Sequence, residues 1–122
     1  MGMQIESQLS DQIARYLDLA VSEAKLTAAN MANIDTPGYK AVGMDFEAEM
    51  RAAIDGVDQG RAPRPVHLKA VDGLIARPDG NNVSMDRESL NLAEAQLKFK
   101  VSVVLLRVEN QNVMDAIHAD SK

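Results

Sequence analysis

The sequence predicts a mainly α fold, in which two long terminal helices form an antiparallel, coiled-coil-like pair. A turn-rich middle with a short helix and a candidate β-hairpin connects them. Near each end of the chain, apolar residues recur every three or four positions, which is the spacing of one helix face. Glycine and proline cluster between these stretches. The chain has 122 residues, enough for a single domain over residues 1–122.

The first long helix is predicted over residues 7–34. Its apolar stripe includes the helix-packing residues Leu9, Ile13, Leu17 and Val21. Ordering the backbone costs roughly 1–2 kcal/mol per residue, whereas burying a large side chain returns about 1.5–3 kcal/mol. We therefore expect this helix to need a partner along most of its length, either the last helix, other copies of the chain, or both.

A sharp turn is predicted where this helix ends. Thr36 precedes a proline and is disfavoured from the helical conformation, while Pro37 and Gly38 suit the two central positions of a type II turn. An ordinary helix stop would explain the Pro-Gly pair by itself.

The middle segment, residues 35–83, begins with a short predicted helix. Asp45 is a suitable N-cap, and Phe46, Met50 and Ile54 share one face of the helix that follows. Asp55-Gly56 is expected to end it.

The rest of the middle segment is predicted to be extended. Residues 61–65 read as a proline-containing linker. Residues 66–71 and 74–77 flank Asp72-Gly73, a pair that suits a type I′ turn, so they form the candidate β-hairpin.

The last helix is predicted over residues 84–118. Ser84 or Asp86 can cap its start, and Glu88 is favourable in its first turn. Its apolar residues continue at near-heptad spacing. The helix-packing stripe on this helix comprises Leu97, Val101, Val104 and Val108.

Two strings carry a resemblance to a known family. The first, Asn-x-x-Asn-x-x-Thr-Pro-Gly-Tyr, consists of Asn30, Asn33, Thr36, Pro37, Gly38 and Tyr39. The second, before the last helix, consists of Asp79, Gly80, Asn81, Asn82 and Val83. In this order and at these places they resemble the signatures of the bacterial flagellar axial proteins of rod and hook, and the second resembles the proximal-rod branch.

The resemblance implies a structural subunit of the proximal rod that polymerises through its terminal helices and transmits torque. It implies copies of the chain, other rod and basal-body proteins and the flagellar type III export apparatus as partners, and a place in the periplasmic rod. Phe46 and Met50 are similar to the Phe and following apolar residue of early export substrates, although simple helix packing explains the pair equally well.

Composition argues against several other partners. The net charge of −5, with both signs interspersed, provides no cationic field for nucleic acid or an anionic membrane. No stretch approaches the roughly 20 apolar residues of a membrane span. Residues 1–6 lack the features of a cleaved signal peptide, so we expect neither membrane insertion nor signal cleavage.

No catalytic, metal or cofactor site is predicted. The acidic cluster that starts at Asp79 lacks the ligand pattern of a calcium loop. His67 and His118 are far apart, and there is no cysteine. A small helical homodimeric adaptor or chaperone-like binding module is the alternative function. A hydrolase would require a role for one of the two histidines.

Overall fold

The computed structural model describes the backbone of residues 2–120 and the side chains of residues 8–120. The prediction about a signal peptide at residues 1–6 concerns side chains outside this part. The described elements, in chain order, are α1 (Gly2–Ala32), β1 (Val42–Gly43), α2 (Phe46–Asp58), β2 (Lys69–Ala70) and α3 (Met85–Asp120).

The two long helices pair in antiparallel fashion, which confirms the predicted fold class. Near the end of α1, Asn30 bonds Glu88 at the start of α3 over 2.8 Å. Further back along α1, Glu23 pairs with Lys98, further along α3, over 3.0 Å. Residue numbers along α1 therefore decrease as those along α3 increase, which means that the two helices are antiparallel. The buried apolar residues lie along this pair and at the loops that close it: Ile13, Leu19, Ala20, Ala41, Val83 and Ala95.

The fully buried residues of α3 are small or polar. Glu88, Ala95 and Ser102 recur every seven positions and are all buried. Small side chains at a helix contact allow the two axes to approach closely. The large apolar residues of the predicted stripe on α3 are exposed, so pairing within the chain uses a different face from the one that the sequence pattern marked.

Helix α2 begins as predicted but ends later. The side chain of Asp45 accepts a hydrogen bond from the Ala48 amide over 3.1 Å, which confirms the N-cap. The predicted end at Asp55-Gly56 is wrong, because the chain continues in helix to Asp58. The helix stops where Gly60 adopts a φ of 68° and Arg61 donates its amide to the Gly56 carbonyl over 2.7 Å, as in a Schellman motif.

Two strands form a small antiparallel sheet in the middle segment, but their pairing is not the predicted hairpin. Val42 pairs with Ala70 and Gly43 with Lys69, so β2 adds to the segment that follows α1. Asp72-Gly73 does bend, with a φ of 80° at Gly73. The chain beyond it leads to Arg77, whose amide donates to the Asn81 carbonyl over 2.8 Å. Residues 74–77 are thus directed to the end of α1 instead of back onto β2.

Within the described residues, no helix combines the length and the apolar character needed to cross a bilayer.

Candidate functional site

The two sequence strings, 30–39 and 79–83, meet at the end of α1; we call this contact the junction. The side chain of Asn81 is fully buried there. Its Nδ2 donates hydrogen bonds to the carbonyl oxygens of Asn33 and Thr36, each over 2.8 Å. Each of these carbonyls also accepts the backbone amide three residues further on, from Thr36 and Tyr39, so Asn81 bonds the second acceptor position of each carbonyl from a distant segment.

Asn81 is itself held in position by its own loop. Its backbone amide donates to Asp79 Oδ1 over 2.9 Å, and its Oδ1 accepts from the Val83 amide over 2.8 Å. These are Asx-type turns, in which a short polar side chain replaces a backbone partner. The side-chain amide can therefore point only at the end of α1.

The turn at residues 36–39 has the predicted geometry. The Tyr39 amide donates to the Thr36 carbonyl over 3.2 Å, and Gly38 has a φ of 75°, as the third residue of a type II turn requires. The Gly38 amide donates to the Asp79 carbonyl over 2.9 Å. A Cβ built on Gly80 would lie 3.4 Å from the Gly38 Cα, so the two strings approach each other closely at their glycines.

On the α1 side of the junction, the side chain of Asn30 bonds to several different segments of the chain. It is 1% exposed, and all four of its hydrogen-bonding positions are used. Its Nδ2 donates to the Val42 carbonyl and to Glu88 Oε1, both over 2.8 Å. Its Oδ1 accepts from Tyr39 Oη and from the Val42 amide, both over 3.0 Å. One side chain thus joins α1, the turn, β1 and α3.

Glu88 brings a carboxylate into this buried region. Its side chain is 0% exposed, and Oε1 also accepts from Arg87 Nη1 over 2.8 Å. The other oxygen, Oε2, is buried without a hydrogen-bond partner among the described residues. A buried charge is tolerated only when paired, so Arg87 and Asn30 together keep the start of α3 against the end of α1.

The remaining string residues complete the junction. Asn33 donates to the Ala29 carbonyl over 2.8 Å and accepts from Thr36 Oγ1 over 3.0 Å. Asn82 Oδ1 accepts from the Ala41 amide over 2.6 Å. Every asparagine of the two strings therefore bonds to a backbone group between residues 29 and 42.

Sequence reasoning missed two cations at the junction. Arg77 donates to the carbonyls of Ile34 and Val83, and Lys40 donates to the Gly80 carbonyl. Arg77 thus bonds to a residue of each string. Lys40, which follows the first string, bonds to the second. Neither residue belongs to a recognisable local pattern, and a long cation near turn residues is common on any surface, so the sequence offered no signal for them.

The candidate export residues lie apart from the junction. The Phe46 ring meets the Tyr16 ring edge-on at 5.5 Å, and Lys98 Nζ lies 3.7 Å above the Phe46 ring. The same Lys98 pairs with Glu23. Phe46 therefore ties α1, α2 and α3 together, and Met50, one turn further along α2, is half-buried.

The predicted packing stripes behave differently on the two long helices. On α1, Ile13 is buried and Leu17 and Val21 are half-buried, whereas Leu9 is exposed. On α3, the predicted stripe is exposed along its whole length, and Leu90 continues it. We call these five residues the outer seam: Leu90, Leu97, Val101, Val104 and Val108.

His67, one of the two histidines, lies beside Glu49 and Arg64. The backbone amide of His67 donates to Glu49 Oε1 over 2.8 Å, and Arg64 lies beside both side chains. This contact fastens the extended segment after α2 to α2 itself. Among the described residues, no group of three histidines, cysteines or carboxylates is placed to hold a metal ion. The arrangement joins helices and presents an apolar face.

No protein-family model matches the chain. It is 31% identical over 119 residues to the flagellar basal body rod protein FlgB of Salmonella typhimurium, with 83% of this chain and 86% of the relative covered. It is 33% identical over 119 residues to the protein of the same name from Cereibacter sphaeroides, covering 88% and 91%. The protein of that name from Buchnera aphidicola is 29% identical over 113 residues, covering 80% and 85%.

Proposed function

The chain belongs to the FlgB family of flagellar basal body rod proteins, and on this premise we propose that it is a structural subunit of the bacterial flagellar rod. More finely, we propose a place in the proximal rod, where it polymerises through its terminal helices and transmits torque. In this role it has no catalytic activity, needs no cofactor, and contacts neither nucleic acid nor the membrane interior.

One observation carries the polymerisation proposal: apolar exposure differs between the two long helices. Among the described side chains of α1, only Leu9 is an exposed large hydrophobic residue. Helix α3 exposes ten: Met85, Leu90, Leu97, Phe99, Val101, Val104, Leu105, Val108, Met114 and Ile117. Five of these ten, the outer seam, share one face of the helix, and an exposed apolar face of this length is typical of a surface that is buried in a complex.

The outer seam supplies the free energy of association. Leu97 is 63% exposed and Val104 is 54% exposed, so each gains on the order of 1 kcal/mol when a neighbour covers it. Such gains add along the seam and exceed what isolated surface ion pairs provide. The partners that cover it are other copies of the chain and other rod and basal-body proteins.

The junction makes each subunit stiff enough to carry torque. A load applied to the end of α1 passes through Asn30 and Asn81 into the start of α3 instead of bending a flexible loop. Because both side chains are buried and fully bonded, a change in their relative position would break several hydrogen bonds at once.

Export as an unfolded chain fits the position of Phe46. In the folded protein its ring is covered by Tyr16 and Lys98, so a receptor that reads Phe46 and Met50 must meet them before α1 and α3 pair. We propose that the flagellar type III apparatus does so, and that the subunit folds when it joins the growing rod.

Imaging of basal bodies tests the proposed function. The gene is deleted in the source bacterium and replaced by a copy with a short epitope inserted after Gly73, where the surroundings are open. We expect the deletion strain not to swim, the tagged copy to restore swimming, and label to appear on the rod of purified basal bodies.

The same experiment separates the rod subunit from the alternative, a homodimeric adaptor. An adaptor would remain in the cytoplasmic fraction and would be missing from complete basal bodies. Absence of the label from basal bodies of a swimming strain would overturn the proposal.

A further inference from the structure

The outward faces of α1 and α3 carry opposite charges with the same spacing. Asp11 and Asp18 lie seven residues apart on α1, and Lys100 and Arg107 lie seven residues apart on α3. All four are exposed. The ion pairs and side-chain hydrogen bonds between described residues involve none of them. Seven residues span about 10.5 Å of helix, so the two pairs have matching lengths.

The antiparallel pairing places the acidic and basic residues at the same heights. Asn30 lies opposite Glu88, and each step back along α1 corresponds to a step forward along α3. By this contact Asp18 is level with Lys100 and Asp11 with Arg107, and the Glu23–Lys98 pair shifts this register by three residues, so the heights match to within one helical turn. Two copies standing side by side in the same orientation, with α1 of one against α3 of the other, would place both acids opposite both bases.

We infer that neighbouring copies make this lateral contact, with an axial offset of no more than about one helical turn, through Asp18 to Lys100 and Asp11 to Arg107 of the next copy. The inference rests on the proposed function and specifies the partner and register of the outer seam. Exposed ion pairs contribute little free energy, so these two select orientation and register, while burial of the seam stabilises the contact.

A cavity next to Asp18 gives the seam a place to pack. It has a volume of about 510 Å³ and lies between α1, α2 and residues 61–66, and Asp18 stands at its rim. Its apolar wall includes Leu19, Ala52, Ala53 and Val66. Leu97 and Val104 each precede a basic residue of the pair by three positions, which puts them on adjoining parts of the same face. Once the ion pairs form, these side chains face the cavity.

The contact also allows an assembly to grow beyond a dimer. It joins two different faces of the chain, so each added copy leaves one α1 face and one α3 face free. Head-to-tail contacts of this kind generate rings or open helical arrays, whereas a contact between identical faces stops at a dimer.

Crosslinking of cysteines by a short bifunctional thiol reagent in assembled basal bodies tests the contact. Because the chain has no cysteine, the double variant Asp18→Cys with Lys100→Cys introduces the only two thiols. Both lie on outward faces of paired helices, too far apart for a short reagent to join them within one chain. A reagent that spans the length of an Asp–Lys ion pair should give a ladder of multimers on denaturing gels, whereas a direct disulfide needs closer Cβ atoms than such a pair provides. The matched variant Asp18→Cys with Asp72→Cys should remain monomeric.

Charge reversal gives a second readout. Asp18→Lys should lower the amount of subunit per basal body about tenfold, because two like charges then face each other. Adding Lys100→Asp to the same chain should restore most of it, while Asp72→Lys should change nothing. Basal bodies that contain the double-cysteine chain only as monomers, or reversals that leave incorporation unchanged, would overturn the inference. Absence of the wild-type chain from basal bodies would instead overturn the proposed function.

Discussion

The side-chain amide of Asn81 donates a 2.8 Å hydrogen bond to the backbone carbonyl of Asn33, 48 residues earlier in the chain. The relationship makes the end of one long helix depend on the loop that begins the other. Without the second string, the carbonyls of Asn33 and Thr36 accept only the backbone amides three residues further on, so the additional hydrogen bonds at the end of α1 form only when the two strings pack together. Four predictions follow from this arrangement and from the two faces of α3.

Replacing Asn81 with alanine should destabilise the fold. The change removes one of the two hydrogen bonds that the Asn33 and Thr36 carbonyls each accept, and it removes the acceptor of the Val83 amide, at a total cost of about 2–4 kcal/mol. Thermal unfolding followed by circular dichroism should show Tm lowered by roughly 10 °C. Asn110→Ala, at an exposed position on α3, is the matched control and should leave Tm nearly unchanged. Equal Tm values for the two variants would contradict the role of Asn81.

Valine at position 38 should abolish swimming. Gly38 has a φ of 75°, and a Cβ built there meets no atom within 4 Å, so the cost is one of backbone conformation and not of collision. For a β-branched residue we expect about 2 kcal/mol. Gly38→Asn, which tolerates this conformation, should cost less than about 1 kcal/mol and keep motility. A Gly38→Val strain that swims like wild type would show that the turn is dispensable.

The sequence predicted those features of the fold that depend on local signals. The periodicity of α1 and α3, the type II turn at Gly38 and the N-cap at Asp45 are each encoded within a few neighbouring residues. Both junction strings could be identified for the same reason, because turn and capping residues recur in them. Their meeting could not be derived from spacing, since it depends on how two helices, far apart in the chain, pack together.

Other features of the fold could not be predicted, because they depend on which of several segments pack against each other. Apolar residues lie on several sides of α3, so periodicity marked the outer seam and could not show that Ala95 and Ser102 face α1. Asp72-Gly73 signals a bend, but it does not say which strand β2 will join, and Val42 rather than the following segment is adjacent to it. Glu88 was predicted only as a favourable first-turn charge, because nothing local announces the burial that Asn30 and Arg87 make tolerable.

The two faces of α3 should separate folding from assembly. Val104 is exposed, so Val104→Ser should change the free energy of unfolding by no more than about 0.5 kcal/mol while reducing incorporation into basal bodies several-fold. Ala95 is 1% exposed against α1, and Ala95→Leu should cost about 2–3 kcal/mol by overpacking. Urea unfolding and quantification of purified basal bodies measure the two effects. If Val104→Ser lowered the free energy of unfolding and Ala95→Leu lowered only incorporation, the seam, and not the small-residue face, would hold the monomer together.

Helix content should rise as subunits associate. Helix α3 has 36 residues, and beyond Ser102 most of them are exposed on the monomer. Few buried contacts therefore offset the cost of ordering this half, roughly 1–2 kcal/mol per residue for the backbone, and local unfolding begins where contacts are sparse.

Circular dichroism of dilute purified protein should report less helix than the 31 residues of α1 and the 36 of α3 would give. Hydrogen exchange should be fastest after Ser102. The ellipticity should become more negative with concentration or on addition of other rod proteins, because the outer seam is then covered. A dilute monomer that is fully helical, and whose spectrum does not change with concentration, would contradict coupling between folding and assembly.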